Sequence, residues 1–110
     1  MKEVKRPWGK FIQYVLNKKC TVKIITINKN QSLSKQIHKK RSEFWVILDQ
    51  GIIAEIKNKK FKTKPGQEIN IRKNTPHRAY ATKTARFLEI SFGNFDEKDE
   101  IRLEDKYGRV

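Results

Sequence analysis

Short apolar runs alternate with short polar breaks along the chain, and nearly every run carries the two-residue period of a β-strand. Residues 9–16 and 20–27 are the first two runs, the second rich in β-branched side chains that suit a pleated surface. A polar turn at 28–31 leads to residues 32–38, where Leu33, Lys35 and Ile37 share one face and Ser34, Gln36 and His38 the other. Residues 43–48 and 52–56 flank Asp49-Gln50-Gly51, whose glycine accepts a positive φ, so these two runs predict a hairpin. Further strands are predicted at 60–64, 68–71, 77–81 and 85–92, separated by Asn58-Lys59, Pro65-Gly66 and Lys73-Asn74-Thr75-Pro76. No helical period is sustained over a long window, and the charged stretch from residue 94 onward reads as coil or short helical turns. Many short strands with turn signals every eight to twelve residues or so predict a barrel or sandwich, and 110 residues make one domain. The expected layout is an N-terminal arm at 1–9, a barrel at 10–93 and a charged tail at 94–110.

Charge refines this picture. The net charge is +14; residues 1–94 carry 22 basic and 6 acidic side chains, whereas residues 95–110 carry 4 and 6. A basic barrel can attract a polyanion or a phosphorylated substrate. Lysine outnumbers arginine 19 to 7 and is spread along the strands rather than interleaved with aromatics on one face. That distribution fits solvated strand faces better than a nucleic-acid surface, so nucleic acid is not the expected partner. No apolar stretch approaches the roughly 20 residues of a membrane helix, and the charged start Met1 to Pro7 lacks a secretory core. Cys20 alone makes neither an internal disulfide nor a cysteine-based zinc site, and on a strand it reads as a small buried hydrophobe. A reducing cytoplasmic location is the expectation.

The candidate chemistry lies in two histidines, His38 and His77, 39 positions apart and each near a strand edge. Around them run Gln36-Ile-His-Lys-Lys-Arg-Ser-Glu-Phe-Trp45, with Gly51 beyond, and Gly66-Gln-Glu-Ile-Asn-Ile-Arg-Lys-Asn-Thr-Pro-His77. These segments resemble the first and second motifs of the cupins. Arg6-Pro7-Trp8-Gly9, Arg41-Ser42-Glu43, Pro76-His77-Arg78 and Glu104-Asp105-Lys106-Tyr107-Gly108-Arg109 extend the likeness from residue 6 to 109, toward type II mannose-6-phosphate isomerase. In that family the cupin is often the C-terminal half of a bifunctional enzyme joined to a mannose-1-phosphate guanylyltransferase; here no Gly-rich phosphate loop precedes the barrel, so a stand-alone cupin or a fragment is expected. The resemblance implies an all-β double-stranded β-helix, a jelly-roll barrel, and a homodimer paired through sheet edges. It also implies interconversion of mannose 6-phosphate and fructose 6-phosphate, in carbohydrate and polysaccharide precursor metabolism.

The departures from the family pattern fall at the chemistry. That pattern places a histidine at position 40 and a histidine, or in many other cupins a glutamate, at position 44, where this chain has Lys40 and Phe44. His38 and His77 then remain as metal ligands, fewer than the three protein ligands usual in a catalytic site, and the cofactor is either none or a weakly held Zn²⁺, Mn²⁺, Co²⁺ or Ni²⁺. Gln36 shares the inward face with His38 and can lend an amide oxygen as a third ligand, whereas alternation from position 44 turns Glu43 away from the lumen. Lys40 either supplies a replacement cation inside the barrel mouth or snorkels out of it.

An aldose–ketose isomerase needs a base for the substrate C–H, an electrophile for the developing oxyanion and cations for the phosphate. His38, His77, Lys40 and Arg41 are the candidate catalytic residues, and Gln36, Lys40, Arg41 and Arg78 the candidate substrate-binding residues. The alternative is a catalytically silent cupin that binds a sugar phosphate or nucleotide sugar, or partners a separate guanylyltransferase. Trp8 and Trp45 read as core or interface packing.

Overall fold

The computed structural model describes residues 2–93, 96 and 98–109, and among these the regular structure is all β, as expected. The strands are β1 (Lys2–Arg6), β2 (Gly9–Gln13), β3 (Cys20–Ile27), β4 (Lys35–Ile37), β5 (Ser42–Ile47), β6 (Ile52–Ile56), β7 (Lys59–Lys62), β8 (Glu68–Ile71), β9 (His77–Ala81), β10 (Ala85–Phe92) and β11 (Ile101–Glu104). They form a two-stranded ribbon β1-β2 and two antiparallel sheets, of order β3-β10-β5-β8 and β11-β4-β9-β6-β7. From β3 onward the chain mostly crosses from one sheet to the other, which is jelly-roll connectivity.

The core lies between the two sheets. The four-stranded sheet turns Ile25, Ile27, Trp45, Ile47, Ile69, Ile71 and Phe87 inward, and the five-stranded sheet answers with Ile52, Ala54, Ala79 and Ala81. The small residues on β6 and β9 face the large rings of Trp45 and Phe87, whose centroids are 4.6 Å apart, so one layer's bulk fits the other's recess. The hairpin expected across Asp49-Gln50-Gly51 is not formed: β5 pairs with β10 and β8, β6 with β7 and β9, and the turn carries the chain from one sheet to the other. Gly51 makes that crossing with φ of 113°, and an added Cβ there would meet the Lys83 side chain at 2.7 Å.

Three expectations at the chain's ends and in its third strand are corrected. Residues 9–16 do not enter the barrel sheets as one strand; β2 stops at Gln13 and pairs with β1 in a ribbon whose turn leaves Trp8 exposed. The expected N-terminal arm at 1–9 contains β1 and the start of β2, and a two-stranded ribbon tolerates polar residues on both faces. The tail contributes β11, which pairs with β4. The strand expected at 32–38 is regular only over Lys35–Ile37. The His38 carbonyl accepts from Asn74 N at 2.8 Å, while the next two amides, of Lys39 and Lys40, turn to the Asp99 carboxylate at 2.9 Å each. That double capture bends the chain at 38–40 and sets up the site.

Candidate metal centre

Three side chains from three strands or strand ends converge inside the barrel: His38 after β4, Glu43 on β5 and His77 at the start of β9, all buried. Their ligand-type atoms lie within 4.8 Å of one another. His38 Nε2 is 3.2 Å from Glu43 Oε2, and His77 Nε2 is 3.4 Å from Glu43 Oε1. The other ring nitrogens are committed: His38 Nδ1 lies 2.6 Å from the Asp99 carbonyl, and His77 Nδ1 lies 2.8 Å from the Thr75 carbonyl. A carbonyl oxygen only accepts, so both Nδ1 atoms carry hydrogen.

That assignment decides what the centre can hold. If both rings are neutral, each Nε2 presents a bare lone pair to a carboxylate oxygen, which is repulsive. The contact becomes favourable if the rings are protonated or if a cation sits among the three groups. Two ligands held at about 2.1 Å to one ion at angles of about 90–110° stand about 3.0–3.4 Å apart, which matches both histidine–carboxylate distances. Two imidazole nitrogens and a carboxylate oxygen also form a donor set suited to Zn²⁺, Mn²⁺, Co²⁺ or Ni²⁺, and carbonyl-anchored histidines are usual around such ions. Gln36 is the register partner of His77 on the inner face and lines the same cavity, where its amide donates to Ser34 Oγ at 2.7 Å.

Two placements correct the motif reading. Glu43 faces into the lumen, not away from it, and Phe44 is the residue that faces out, packing on Tyr14 with ring centroids 5.9 Å apart. Lys40 is exposed, outside the cavity, beside a groove formed with Lys39, Asp96, Lys98 and Asp99. Neither position 40 nor position 44 belongs to the cluster, so the replacements there remove no ligand from it. The three residues that could hold an ion are His38, Glu43 and His77, and with Gln36 they make up the inward set.

Glu43 is held from several sides. Trp45 Nε1 donates to Oε1 at 3.2 Å while its indole lies edge-on to His77, and Arg41 Nε donates to Oε2 at 3.4 Å. Burial alone would raise the Glu43 carboxyl; the hydrogen bonds from His38 and His77 overcome that and hold it well below the usual carboxylate range. For His38, burial favours the neutral ring, but the bonds to Glu43 and the Asp99 carbonyl prevail and push it above its ordinary value. Trp45 therefore orients the carboxylate as well as filling the core, as an indole N–H buried beside a polar partner can.

The candidate cations differ in accessibility. Arg41 is buried, reaches the Asp96 carbonyl at 3.1 Å and places Nη2 3.4 Å from His38 Nε2. Arg78 follows His77 on β9, so it alternates toward the outer face; it pairs with Glu104 and stacks over Tyr80, with its guanidine carbon 5.2 Å from the ring centroid.

A cavity of about 130 Å³ adjoins the cluster, with Gln36, Arg41, Glu43, His77, Lys23 and Glu89 in its wall. Sequence reasoning passed over the last two, and over Asp99. Glu89 is buried on β10, and Ser91 Oγ donates to it at 3.3 Å. Burial first and the Glu43 charge second push its carboxyl up to about 6.

Two facing antiparallel sheets around a lumen bearing a His–Glu–His cluster define a cupin, a double-stranded β-helix. Residues 1–105 match the family model described as mannose-6-phosphate isomerase C-terminal, and the chain belongs to that family. It is 30% identical to the mannose-1-phosphate guanylyltransferase ManC of Salmonella typhimurium over 99% of this chain and 23% of that protein. It is 33% identical to the alginate biosynthesis protein AlgA of Pseudomonas aeruginosa over 98% of this chain and 23% of that protein. The chain thus spans about a quarter of the length of the curated relatives it matches. Among solved structures, a protein from Planctomyces limnophilus superposes with a TM-score of 0.66 at 21% identity, over 91% of this chain and 88% of that one. One titled as a putative sugar phosphate isomerase from Acidithiobacillus ferrooxidans gives 0.63 at 16% identity, over 70% and 51%. These two likenesses concern the fold.

Proposed function

We propose that this domain is a metal-dependent aldose–ketose isomerase that interconverts mannose 6-phosphate and fructose 6-phosphate. The observation that carries the reading is the convergence of two Nε2 atoms on one carboxylate while both Nδ1 atoms are tied to backbone carbonyls. Membership of the mannose-6-phosphate isomerase family supports the substrate class. Gln36, His38, Glu43 and His77 would hold the ion, and a bound divalent cation supplies an electrophile for the sugar oxygens at C1 and C2. On this reading the two histidines are ligands rather than bases. Asp99 and Thr75 fix their tautomers, and Trp45 and Arg41 fix the carboxylate. Arg41 and Lys23 bring positive charge to the cavity wall, and Lys40 brings it to the exposed turn beside the cluster, where the anionic substrate would arrive.

The test begins with protein stripped by chelator and reloaded separately with Zn²⁺, Mn²⁺, Co²⁺ and Ni²⁺. Conversion of mannose 6-phosphate is then followed in a coupled assay. Turnover that requires about one equivalent of bound metal, and disappears in His77→Ala, is the expected outcome. Loaded protein without turnover would overturn the reading.

One observation favours a second reading. Arg41 Nη2 can donate to the bare Nε2 of His38 while Arg41 Nε donates to Glu43, so a guanidinium can occupy the cation's place. The domain would then bind a sugar phosphate without turning it over. It would take up no metal, and mannose 6-phosphate would still raise its Tm.

A further inference from the structure

Among the described residues two acidic side chains besides Glu43 line the cavity, Glu89 and Glu100; Glu100 is paired with Arg102, whereas Glu89 lies on the inner surface of a central strand. Its register partners are Lys23 on β3 and Trp45 on β5, while Ser91, two residues on, is the partner of Glu43. Glu89 and Glu43 are therefore diagonal neighbours on one sheet face, with backbones about 7–8 Å apart. Both line the same cavity, together with Gln36 and His77. The position is a poor one for a merely structural acid. It is buried at 7% exposure, its contact from Ser91 is long for an O–H donor, and a second carboxylate stands nearby. An apolar residue of similar volume would fill the space without the desolvation cost of a carboxyl group. The buried acid Glu55, by contrast, faces the outer surface and is engaged by Tyr80, Lys35 and Lys60.

Resting on the isomerase reading above, we infer that Glu89 is the acid–base group that carries the proton between C1 and C2 of the substrate. The cluster has no free base to offer, because its histidines and carboxylate face one another around the cation position. Glu89 is the neighbouring carboxylate, set to one side of that position as a proton carrier must be. In the forward direction its carboxylate takes the proton from C2 of the open-chain aldose. The C–H electron pair becomes the C1=C2 bond, the carbonyl pair moves to O1, and O1 takes up a proton. The reverse movement completes the reaction: the O2 proton leaves, C2=O forms, and the Glu89 carboxylic acid returns its proton to C1. The substrate is oxidised at C2 and reduced at C1, so no outside oxidant or reductant enters. Lys23 across the strand pair holds a compensating positive charge near the carboxylate.

The test uses metal-loaded wild type, Glu89→Gln and Glu89→Ala. Glu89→Gln should keep its metal content and its KM within about threefold, and lose kcat by at least about 100-fold, the usual scale for a positioned acid or base. Wash-in of solvent deuterium at C2 of mannose 6-phosphate, read by mass spectrometry, should fall in parallel. Formate should restore part of kcat to Glu89→Ala, a rescue that a structural role would not show. An active wild type with a Glu89→Gln variant within fivefold of it overturns the assignment while leaving the isomerase reading intact. A variant that loses its metal along with its activity, and is not rescued by formate, overturns it too, by showing a structural role. A wild type that binds metal and shows no turnover overturns the isomerase reading and the assignment together.

Discussion

Replacing Glu89 with Gln removes a charge at nearly constant shape, so it isolates what that charge costs the folded state. An ordinary glutamate ionises near 4.5, and burial with repulsion from Glu43 moves Glu89 to about 6. A carboxyl group whose native pKa lies above its unfolded value binds its proton more tightly when folded. The native state is therefore favoured below about pH 4.5, and that advantage is lost as pH rises through about 6. At about 1.36 kcal/mol per unit, the shift amounts to about 2 kcal/mol of stability that the wild type lacks at pH 7 and above. Glutamine is neutral at every pH and carries no such loss. The stability of Glu89→Gln minus that of wild type should thus grow by about 2 kcal/mol between about pH 4 and pH 7.5, roughly 8 °C in Tm for a domain of this size. Urea titrations read by Trp45 fluorescence, with chelator present so that no ion offsets the Glu43 charge, measure this difference directly. Titrations shared by the two proteins cancel. Stability curves that stay parallel across the range, or a variant that weakens as pH rises, would refute the placement of a destabilised carboxylate in the lumen.

Other outcomes follow from the same geometry. Phe87→Ala empties a fully buried position between the sheets and should cost about 3–5 kcal/mol, measured by chemical denaturation. Lys40→His combined with Phe44→His should leave metal affinity within about threefold of wild type, because neither position faces the cluster; tenfold tighter binding by calorimetry would contradict the inward set described above. His38 is shifted upward from 6.5, so its protonated form contributes stability that is present below 6.5 and lost as pH rises through the raised value. A metal ion must displace that proton, so Zn²⁺ affinity should weaken as pH falls below the raised value, with about one proton released per ion in calorimetry across buffers of different ionisation enthalpy.

The barrel was legible because its strands announce themselves: Cys20–Ile27 and Ala85–Phe92 are dense in β-branched and aromatic residues, and Gly51 and Pro65-Gly66 mark the turns between runs. The site was harder to read because it inverts the rule that makes strands legible. In Ser42–Ile47 the apolar Phe44 looks like the inward residue and the charged Glu43 like the outward one, yet the lumen of a functional barrel is where buried polar groups collect. The same inversion hid Glu89, since Leu88, Ile90 and Phe92 form the more apolar alternate set on β10 while Phe87, Glu89 and Ser91 point inward. Asp99 could not be found from local pattern at all. Its partners, His38, Lys39 and Lys40, lie about sixty residues earlier, and a segment of mixed charge gives no sign of that pairing.

The Asp99 contacts also say something about time. During synthesis the barrel strands through Phe92 leave the ribosome before the segment that fixes His38, and Arg41 too waits on a late residue, reaching the Asp96 carbonyl. A nascent barrel can therefore bury Trp45 and Phe87 while His38 still turns freely. The geometry that holds His38, Lys39, Lys40 and Arg41 is thus completed only when Asp96 and Asp99 dock.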